Sequence, residues 1–176
     1  RATSPVVVKR IAVFPGNLAV MGIAVDPNDA NNVVVTLANY SSGQNHIYRS
    51  TNALSLTTST GINGFQSIQG TLPGFPIYDA VIDMTLKDRI TIGTENGVWY
   101  CTDGFSSGTP TWQQDQNVPH IPVFMVRQNQ YTRNQPGPNG ETYYNYVTGS
   151  GTIYAATHGR GIWECKRSEE RRVGKE

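Results

Sequence analysis

The sequence has little charge, no long apolar run and few cysteines. Charged residues make up 15% of the chain and the net charge is +1, so no strong positive field is present to attract nucleic acid. No apolar run approaches the roughly 20 residues that a membrane-spanning helix requires, and we expect no membrane span. Two cysteines, Cys101 and Cys165, permit one disulfide bond but do not require it.

The residues that favour long amphipathic helices, Ala, Leu, Glu and Lys, are also scarce. The chain contains instead 18 Gly, 10 Pro and 9 Tyr, with many Asn, Gln, Ser and Thr. This composition is typical of short strands joined by polar loops. It predicts an all-β fold.

Three segments of the sequence repeat one pattern of short strands. Each contains two alternating runs: NVVVTL and HIYRS (32–37 and 46–50), RITIGT and GVWYC (89–94 and 97–101), and TIYAAT and GIWEC (152–157 and 161–165). A further apolar run precedes each pair, at 22–26, 80–84 and 123–127. Asp26 and Asp83 are 57 residues apart, as are Val33 and Ile90, so the first two units share one register.

Repeated units of four short antiparallel strands are the sequence pattern of β-propeller blades, of which a ring contains about four to eight. We therefore predict that residues 1–166 form a β-propeller fragment of about three four-stranded antiparallel blades, the last one incomplete. The predicted blades cover about 20–70, 77–116 and 122–166, and we expect the fourth strands of the first two blades near 65–69 and 111–114. Residues 167–176 are rich in charge, and we interpret them as a disordered tail that is foreign to the fold and resembles a translated cloning adapter.

The densest group of reactive side chains, including His158 and Arg160, lies in IYAATHGRGIWEC (153–165). The equivalent ITIGTENGVWYC contains Asn-Gly at 96–97, the dipeptide that supplies the positive φ angles of a tight hairpin turn. Two glycines flank Arg160 in the same place, and His158 aligns with Glu95. We interpret the group as a turn. The alternative is a turn near the propeller axis in which His158 and Arg160 bind a ligand.

The segment YCTDGFSSGTPTW (100–112) resembles the Asp-box, or bacterial neuraminidase repeat, written S-x-D-x-G-x-T-W. Asp103 matches the Asp, Trp112 matches the closing Trp, and Cys101 stands at the Ser position. In the first unit Asn52 replaces the Asp. The Asp or Asn of an Asp-box caps backbone N–H groups while the aromatic residue packs under the hairpin, so the resemblance implies structural roles for Asn52, Asp103 and Trp112.

Longer segments, such as GIAVDPNDANNVVVTLANY, FQSIQGTLPGFPIYDAVID and GTENGVWYCTDG, extend the resemblance to roughly residues 10–165. They resemble the terminal blades of sortilin-like, secreted bacterial propeller proteins that are described as glycosyl hydrolases. The resemblance implies a secreted or cell-surface location. It also implies that the remaining blades of a longer protein are partners of this segment.

Two carboxylates are the best candidates for catalysis. An inverting glycosidase needs a pair about 6.5–9.5 Å apart, and Asp26 and Asp83 end equivalent first strands. The alternative, which we prefer for both, is that each carboxylate accepts hydrogen bonds from its own turn. The Arg cluster of sialidases with this fold has no match that we can recognise.

Neither a metal site nor a cofactor is expected. The three histidines, His46, His120 and His158, have no metal-ligand spacing with one another or with cysteine. The Asp- and Asn-rich segment 26–32 lacks the EF-hand pattern.

The segment 128–151 is too long for an ordinary hairpin loop. It contains four tyrosines that could stack on sugars or anchor a peptide: Tyr131, Tyr143, Tyr144 and Tyr146. The alternative, which we prefer, is a mobile insertion in which these tyrosines are incidental.

Two functions follow as hypotheses. The first is a non-catalytic scaffold that binds a glycan or peptide, formed by the C-terminal blades of a secreted propeller. The second is part of a polysaccharide-cleaving glycoside hydrolase whose catalytic carboxylates lie partly on other blades. Upstream sequence with paired acidic residues near the axis would favour the enzyme.

The cysteines lead to a separate structural prediction. Cys101 and Cys165 end equivalent strands of adjacent blades, and stacked sheets lie about 10 Å apart. A disulfide bond requires Cα atoms within about 7 Å. We therefore predict two free thiols.

Overall fold

The computed structural model describes residues 8–40, 43–130, 132–136, 142–146 and 149–165. Within these ranges the chain forms three antiparallel sheets of four, four and three strands, a separate pair of strands, two short 3-10 turns and no α-helix. The predicted all-β class and the three antiparallel sheets are confirmed. The charged segment 167–176 lies outside the described residues.

Sheets 1 and 2 have the same simple meander order. Sheet 1 contains β1 (Ala19–Val25), β2 (Val33–Ala38), β3 (Ile47–Ser50) and β4 (Gln66–Ser67). Sheet 2 contains β5 (Ile77–Ile82), β6 (Ile90–Thr94), β7 (Gly97–Cys101) and β8 (Gln113–Gln114). All eight strands lie within a few residues of their predicted positions.

Sheet 3 contains β9 (Val123–Gln128), β12 (Ile153–Thr157) and β13 (Ile162–Cys165), with β12 in the centre. The long insertion between β9 and β12 is not only a loop, because β10 (Thr132–Pro136) and β11 (Thr142–Tyr146) pair with each other within it. The sequence pattern did not indicate these two strands. The insertion leaves the pairing of β9 with β12 intact.

The three sheets share one register. The equivalent first-strand residues Ile23, Ala80 and Val126 pair with Val35, Ile92 and Ala155, which in turn pair with Tyr48, Trp99 and Trp163. Side chains at these positions point to the same face of each sheet because side chains alternate along a strand. The repeat seen in the sequence is thus a repeat of strand pairing.

The sheets stack face to face in chain order. Between sheets 1 and 2, a buried cluster combines Ala24 and Ile47 with Ala80 and Ile82. The opposite face of sheet 2 contributes Val81 and Val98 to a second cluster with Val123, Val126 and Ala155 of sheet 3. Sheet 2 is consequently buried on both faces. Its central strand β6 is buried at all five positions.

Neighbouring sheets approach closely at two glycines. A Cβ atom added to Gly22 of β1 would lie 3.0 Å from the Cα of Asp79 on β5. A Cβ atom added to Gly93 of β6 would lie 2.6 Å from the carbonyl oxygen of Val123 on β9. The absence of a side chain at these glycines allows the sheets to pack at this end.

Two residue-level expectations can be compared with the structure. Cys101 is buried and Cys165 is exposed, and both are free, which confirms the prediction of two free thiols. The shared register of the repeats also predicts that the indoles of the third strands, Trp99 and Trp163, pack within or between sheets. Trp99 does so in part, against the cluster between sheets 1 and 2. The expectation was wrong for Trp163, whose side chain is 36% exposed because no described strand covers the outer edge of sheet 3.

Candidate functional site

Five side chains meet at one end of the stacked sheets, and we call them the Tyr78 cluster. Tyr78 and Phe124 occupy equivalent positions at the start of β5 and β9. Tyr40, Glu95 and His158 lie in the loops that follow the second strand of each sheet. All three units therefore contribute to the same surface.

Backbone hydrogen bonds hold two of these loops in place. The Glu95 N–H donates to the carbonyl of Pro76 at 3.1 Å, and the equivalent His158 N–H donates to the carbonyl of Pro122 at 2.8 Å. Each proline immediately precedes a first strand, where its missing N–H costs no ladder hydrogen bond. The hairpin turn and the start of the first strand are thereby fixed together in both sheets.

Three aromatic rings form a row from sheet 2 to sheet 3. The ring centroids of Tyr78 and Phe124 are 5.0 Å apart, and those of Phe124 and His158 are 5.6 Å apart, both in edge-to-face geometry. These separations lie in the favourable range for aromatic pairs. Phe124 is 50% exposed, so the centre of the row is open to solvent.

Glu95 organises the polar side of the cluster. The Tyr78 hydroxyl donates a hydrogen bond to its carboxylate. Burial, with the hydrogen bond and charge of Glu95, raises the pKa of Tyr78. The pKa of Tyr40 is also raised, mainly by a hydrogen bond to Glu95. Both phenols are therefore neutral hydrogen-bond donors at pH 7.

This arrangement suits binding better than nucleophilic chemistry. The raised pKa of Tyr78 keeps its hydroxyl protonated, so this phenol would act as a nucleophile only if Glu95, which accepts its hydrogen bond, took the proton. The carboxylate of Glu95 has about four acceptor sites, so it can accept further hydrogen bonds from a ligand. The cluster thus combines exposed ring surface with a fixed anionic acceptor.

Asp26 and Asp83 lie at the opposite end of the sheets, where β1 and β5 end. Asp26 is buried and accepts hydrogen bonds from the backbone N–H of Asn28 at 2.8 Å and the side chain of Asn32 at 3.1 Å. Asp83 is buried and accepts the N–H groups of Thr85 at 2.8 Å and Leu86 at 3.1 Å. These are the hydrogen bonds of turns that follow a strand.

The residues matched to the Asp-box have structural contacts. Asp103 accepts the Thr111 N–H at 3.2 Å, and the buried Trp112 donates its indole N–H to the Ile68 carbonyl at 2.9 Å. Trp112 therefore links sheet 2 to sheet 1. The oxygen of the Asn52 side chain accepts from the Ser50 hydroxyl at 3.0 Å, and not from a backbone N–H.

Among the other candidate binding residues, the structure describes the side chain of Arg160 alone. Arg160 is exposed in the same turn as His158. Tyr131 lies outside the described residues, as do the side chains of Tyr143, Tyr144 and Tyr146. Of the two candidate binding residues whose side chains are described, His158 lies among the aromatic rings.

Sequence reasoning missed Tyr40, Tyr78 and Phe124. A signal for two of them was present, because Pro-Ile-Tyr at 76–78 and Pro-Val-Phe at 122–124 begin equivalent strands. In each of these repeats an aromatic residue follows a buried aliphatic residue, Ile77 or Val123. This repeated position places two rings at the same end of neighbouring sheets. Tyr40 had no such equivalent.

Within the described ranges, no group of three or more His, Cys, Asp or Glu residues could hold a metal ion. None of the helices in that part of the chain has the length and apolar character to cross a membrane. The chain matches no protein-family model and no curated protein.

Proposed function

We propose that the three sheets are blades of a β-propeller and that the Tyr78 cluster binds a glycan. The shared register, the face-to-face stacking and the close first strands support the propeller arrangement. In this proposal the protein is a non-catalytic scaffold, and the resemblance to secreted sortilin-like, Asp-box proteins supports a secreted or cell-surface location.

The observation that carries the glycan proposal is the row of three rings beside a fixed carboxylate. Binding sites combine apolar and aromatic surface with a few polar groups that set the orientation of the ligand. A sugar ring offers an apolar face of C–H groups to Phe124 and hydroxyl donors to Glu95. An oligosaccharide is therefore a better chemical match than an anionic ligand, which the Glu95 carboxylate would repel.

The hydrolase alternative has less support. Its two candidate carboxylates, Asp26 and Asp83, are buried and bonded to their own turns. They lie at the end of the sheets opposite to the exposed rings. A catalytic pair at the Tyr78 cluster would need a second carboxylate beside Glu95, and the cluster contains only one.

The test is isothermal titration calorimetry. The protein is titrated with a panel of neutral oligosaccharides, anionic oligosaccharides and short peptides. We expect a neutral oligosaccharide to bind, and Phe124→Ala to weaken that binding at least about tenfold, because a buried aromatic anchor contributes more than 1.4 kcal/mol. Glu95→Gln keeps an acceptor oxygen but loses the charge. It should weaken oligosaccharide binding less than Phe124→Ala does.

The matched control is Tyr154→Ala. Tyr154 is an exposed aromatic residue of sheet 3 that lies outside the cluster, so this variant should bind as the unchanged protein does. Binding of peptides alone, or equal losses in the Phe124 and Tyr154 variants, would contradict a glycan site at the cluster. Release of reducing sugar from any bound oligosaccharide would contradict the non-catalytic role.

A further inference from the structure

Backbone irregularities direct the two central rings of the Tyr78 cluster. The pairing of β5 with β6 skips Tyr78, and the pairing of β9 with β12 skips Phe124, so each ring belongs to the extra residue of a β-bulge. A bulge bends its strand and re-aims a side chain, and bulges are common beside functional sites. The strands themselves therefore hold both rings in place, independently of a ligand.

Glu95 is the acidic residue of the cluster, and none of the described cations pairs with it. The ion pair that joins two described residues is the one between Arg127 and Asp79. Arg160, in the turn of sheet 3 that is equivalent to the turn of Glu95, is exposed and forms no ion pair with any described residue. The charge of Glu95 is therefore available to a ligand.

The polar centre formed by Tyr40, Tyr78 and Glu95 has acceptor sites left over but no free proton donor. The hydroxyl proton of Tyr78 is already donated to the Glu95 carboxylate. The Tyr40 hydroxyl forms a hydrogen bond to the same carboxylate. A carboxylate has about four acceptor sites, and each phenol oxygen can accept a hydrogen bond as well. A ligand group that only donates hydrogen bonds therefore matches this centre best.

Among the groups that sugars carry, a protonated amine fits this description. An ammonium group has three N–H donors and no acceptor, and its positive charge is attracted to the carboxylate. A hydroxyl group can also donate to Glu95, but it carries no charge. An N-acetyl group has a single N–H donor, and its carbonyl oxygen would find no donor in the polar centre.

The position of Phe124 favours a sugar ring as the carrier of the amine. Tyr78 contacts both neighbours, because its ring packs against Phe124 and its hydroxyl reaches Glu95. The carboxylate and the exposed ring of Phe124 are thus separated by one aromatic side chain. A sugar whose apolar face lies on Phe124 can reach Glu95 with a substituent, whereas a lysine side chain has no flat face to offer the ring.

We propose that the glycan recognised by the Tyr78 cluster is an oligosaccharide of amino sugars whose amines are free and protonated. The ammonium group donates hydrogen bonds to Glu95, and the apolar face of the same sugar lies on Phe124. This inference rests on the proposed function and deepens it by naming the class of glycan. A neutral N-acetylated glycan contacts the same rings without the ion pair and therefore binds more weakly.

Isothermal titration calorimetry in mildly acidic buffer, where most sugar amines are protonated, tests the proposal. The two probes are an oligosaccharide of glucosamine and its fully N-acetylated counterpart, equal in length and linkage. We expect the glucosamine probe to bind at least about tenfold more tightly, because its hydrogen bonds to the carboxylate join two ionised groups. Glu95→Gln should abolish this preference and retain most of the affinity for the N-acetylated probe. Added salt should weaken binding of the glucosamine probe alone, since it screens exposed charges.

The matched control is Glu164→Gln. Glu164 is exposed on β13 and lies outside the cluster, and its replacement changes the net charge of the chain by the same amount. The preference for the glucosamine probe should persist in this variant. An equal loss of preference in both variants would indicate a general attraction of cations to the protein and would overturn the proposal, as would a preference that survives Glu95→Gln.

The remaining outcomes separate this proposal from the function on which it rests. Equal or tighter binding of the N-acetylated probe would overturn the assignment to amino sugars and leave the glycan site standing. Failure of both probes to bind would contradict the glycan site itself. A short lysine-containing peptide that binds as tightly as the glucosamine probe would overturn the choice of a sugar as the carrier of the amine.

Discussion

At the scale of single residues, the two indoles Trp112 and Trp163 differ in what surrounds them. Trp112 is buried between two sheets and hydrogen-bonded to Ile68, whereas Trp163 is 36% exposed. We expect Trp112→Ala to lower the free energy of unfolding by about 3–5 kcal/mol, because it leaves a cavity and an unpaired carbonyl. Urea unfolding measures this loss. Trp163→Ala is the control, and a loss as large as that of Trp112→Ala would contradict the described packing.

His46 predicts how stability depends on pH. Its side chain is fully buried, its Nε2–H donates to the Asn39 carbonyl at 3.0 Å, and its Nδ1 has no partner among the described residues. Burial lowers the pKa of His46 below its ordinary value of about 6.5, against a smaller opposite effect of the hydrogen bond. The unfolded chain therefore binds the proton more readily, and stability is lost as pH falls below about 6.5.

The measurement for His46 is the urea midpoint between pH 7 and pH 5. We expect a fall toward pH 5 that is smaller in His46→Gln, which keeps a donor for the Asn39 carbonyl but does not titrate. His120 is exposed, so His120→Gln should show the same fall as the unchanged protein. If His46→Gln loses as much stability on acidification as that control, another group is responsible.

At the scale of elements, the sequence predicted most strands because two signals agreed. ITIGT and GVWYC combine strand-forming residues with an Asn-Gly turn, and they form β6 and β7 at those positions. The fourth strands were predicted longer than the two residues observed in β4 and β8. Ile68 and Trp112 lie beside these short strands and pack between sheets. Their apolar side chains are explained by this burial and do not indicate longer strands.

The strand pair in the insertion could not be predicted from alternation. The segment TRNQP, which forms β10, contains no apolar residue, so the usual pattern of a half-buried strand is absent. Its pairing with β11 is local and involves no other sheet in the described residues. The sequence of β10 therefore carries no hydrophobic signal for a strand.

The close approach of neighbouring sheets at Gly93 gives a prediction about elements. A Cβ atom at this position would collide with the backbone of Val123, which is part of β9 and has little freedom to move. We expect Gly93→Ala to destabilise the protein by about 1–3 kcal/mol, the typical cost of overpacking. Gly74→Ala is the matched control because no atom lies within 4 Å of its added Cβ. Equal urea midpoints for the two variants would contradict this sheet packing.

At the scale of the whole molecule, the candidate site arises where separate repeats converge. Tyr40, Tyr78 and Phe124 are distant in sequence and meet because their strands begin or end at the same end of the stack. The sequence repeat aligned His158 with Glu95, so it predicted that the two turns are equivalent. It could not indicate that the Tyr78 hydroxyl reaches Glu95, since this depends on side-chain directions across the sheet.

The order of the stack also predicts which part of the molecule opens first. Sheet 2 is buried on both faces, whereas β13 of sheet 3 is exposed along its whole length. At low protein concentration, hydrogen exchange followed by mass spectrometry should be slowest in β6 and β7 and much faster in β12 and β13, because edge elements exchange through local opening and central ones through global unfolding. Exchange in β13 as slow as in β7 under these conditions would contradict the order of stability.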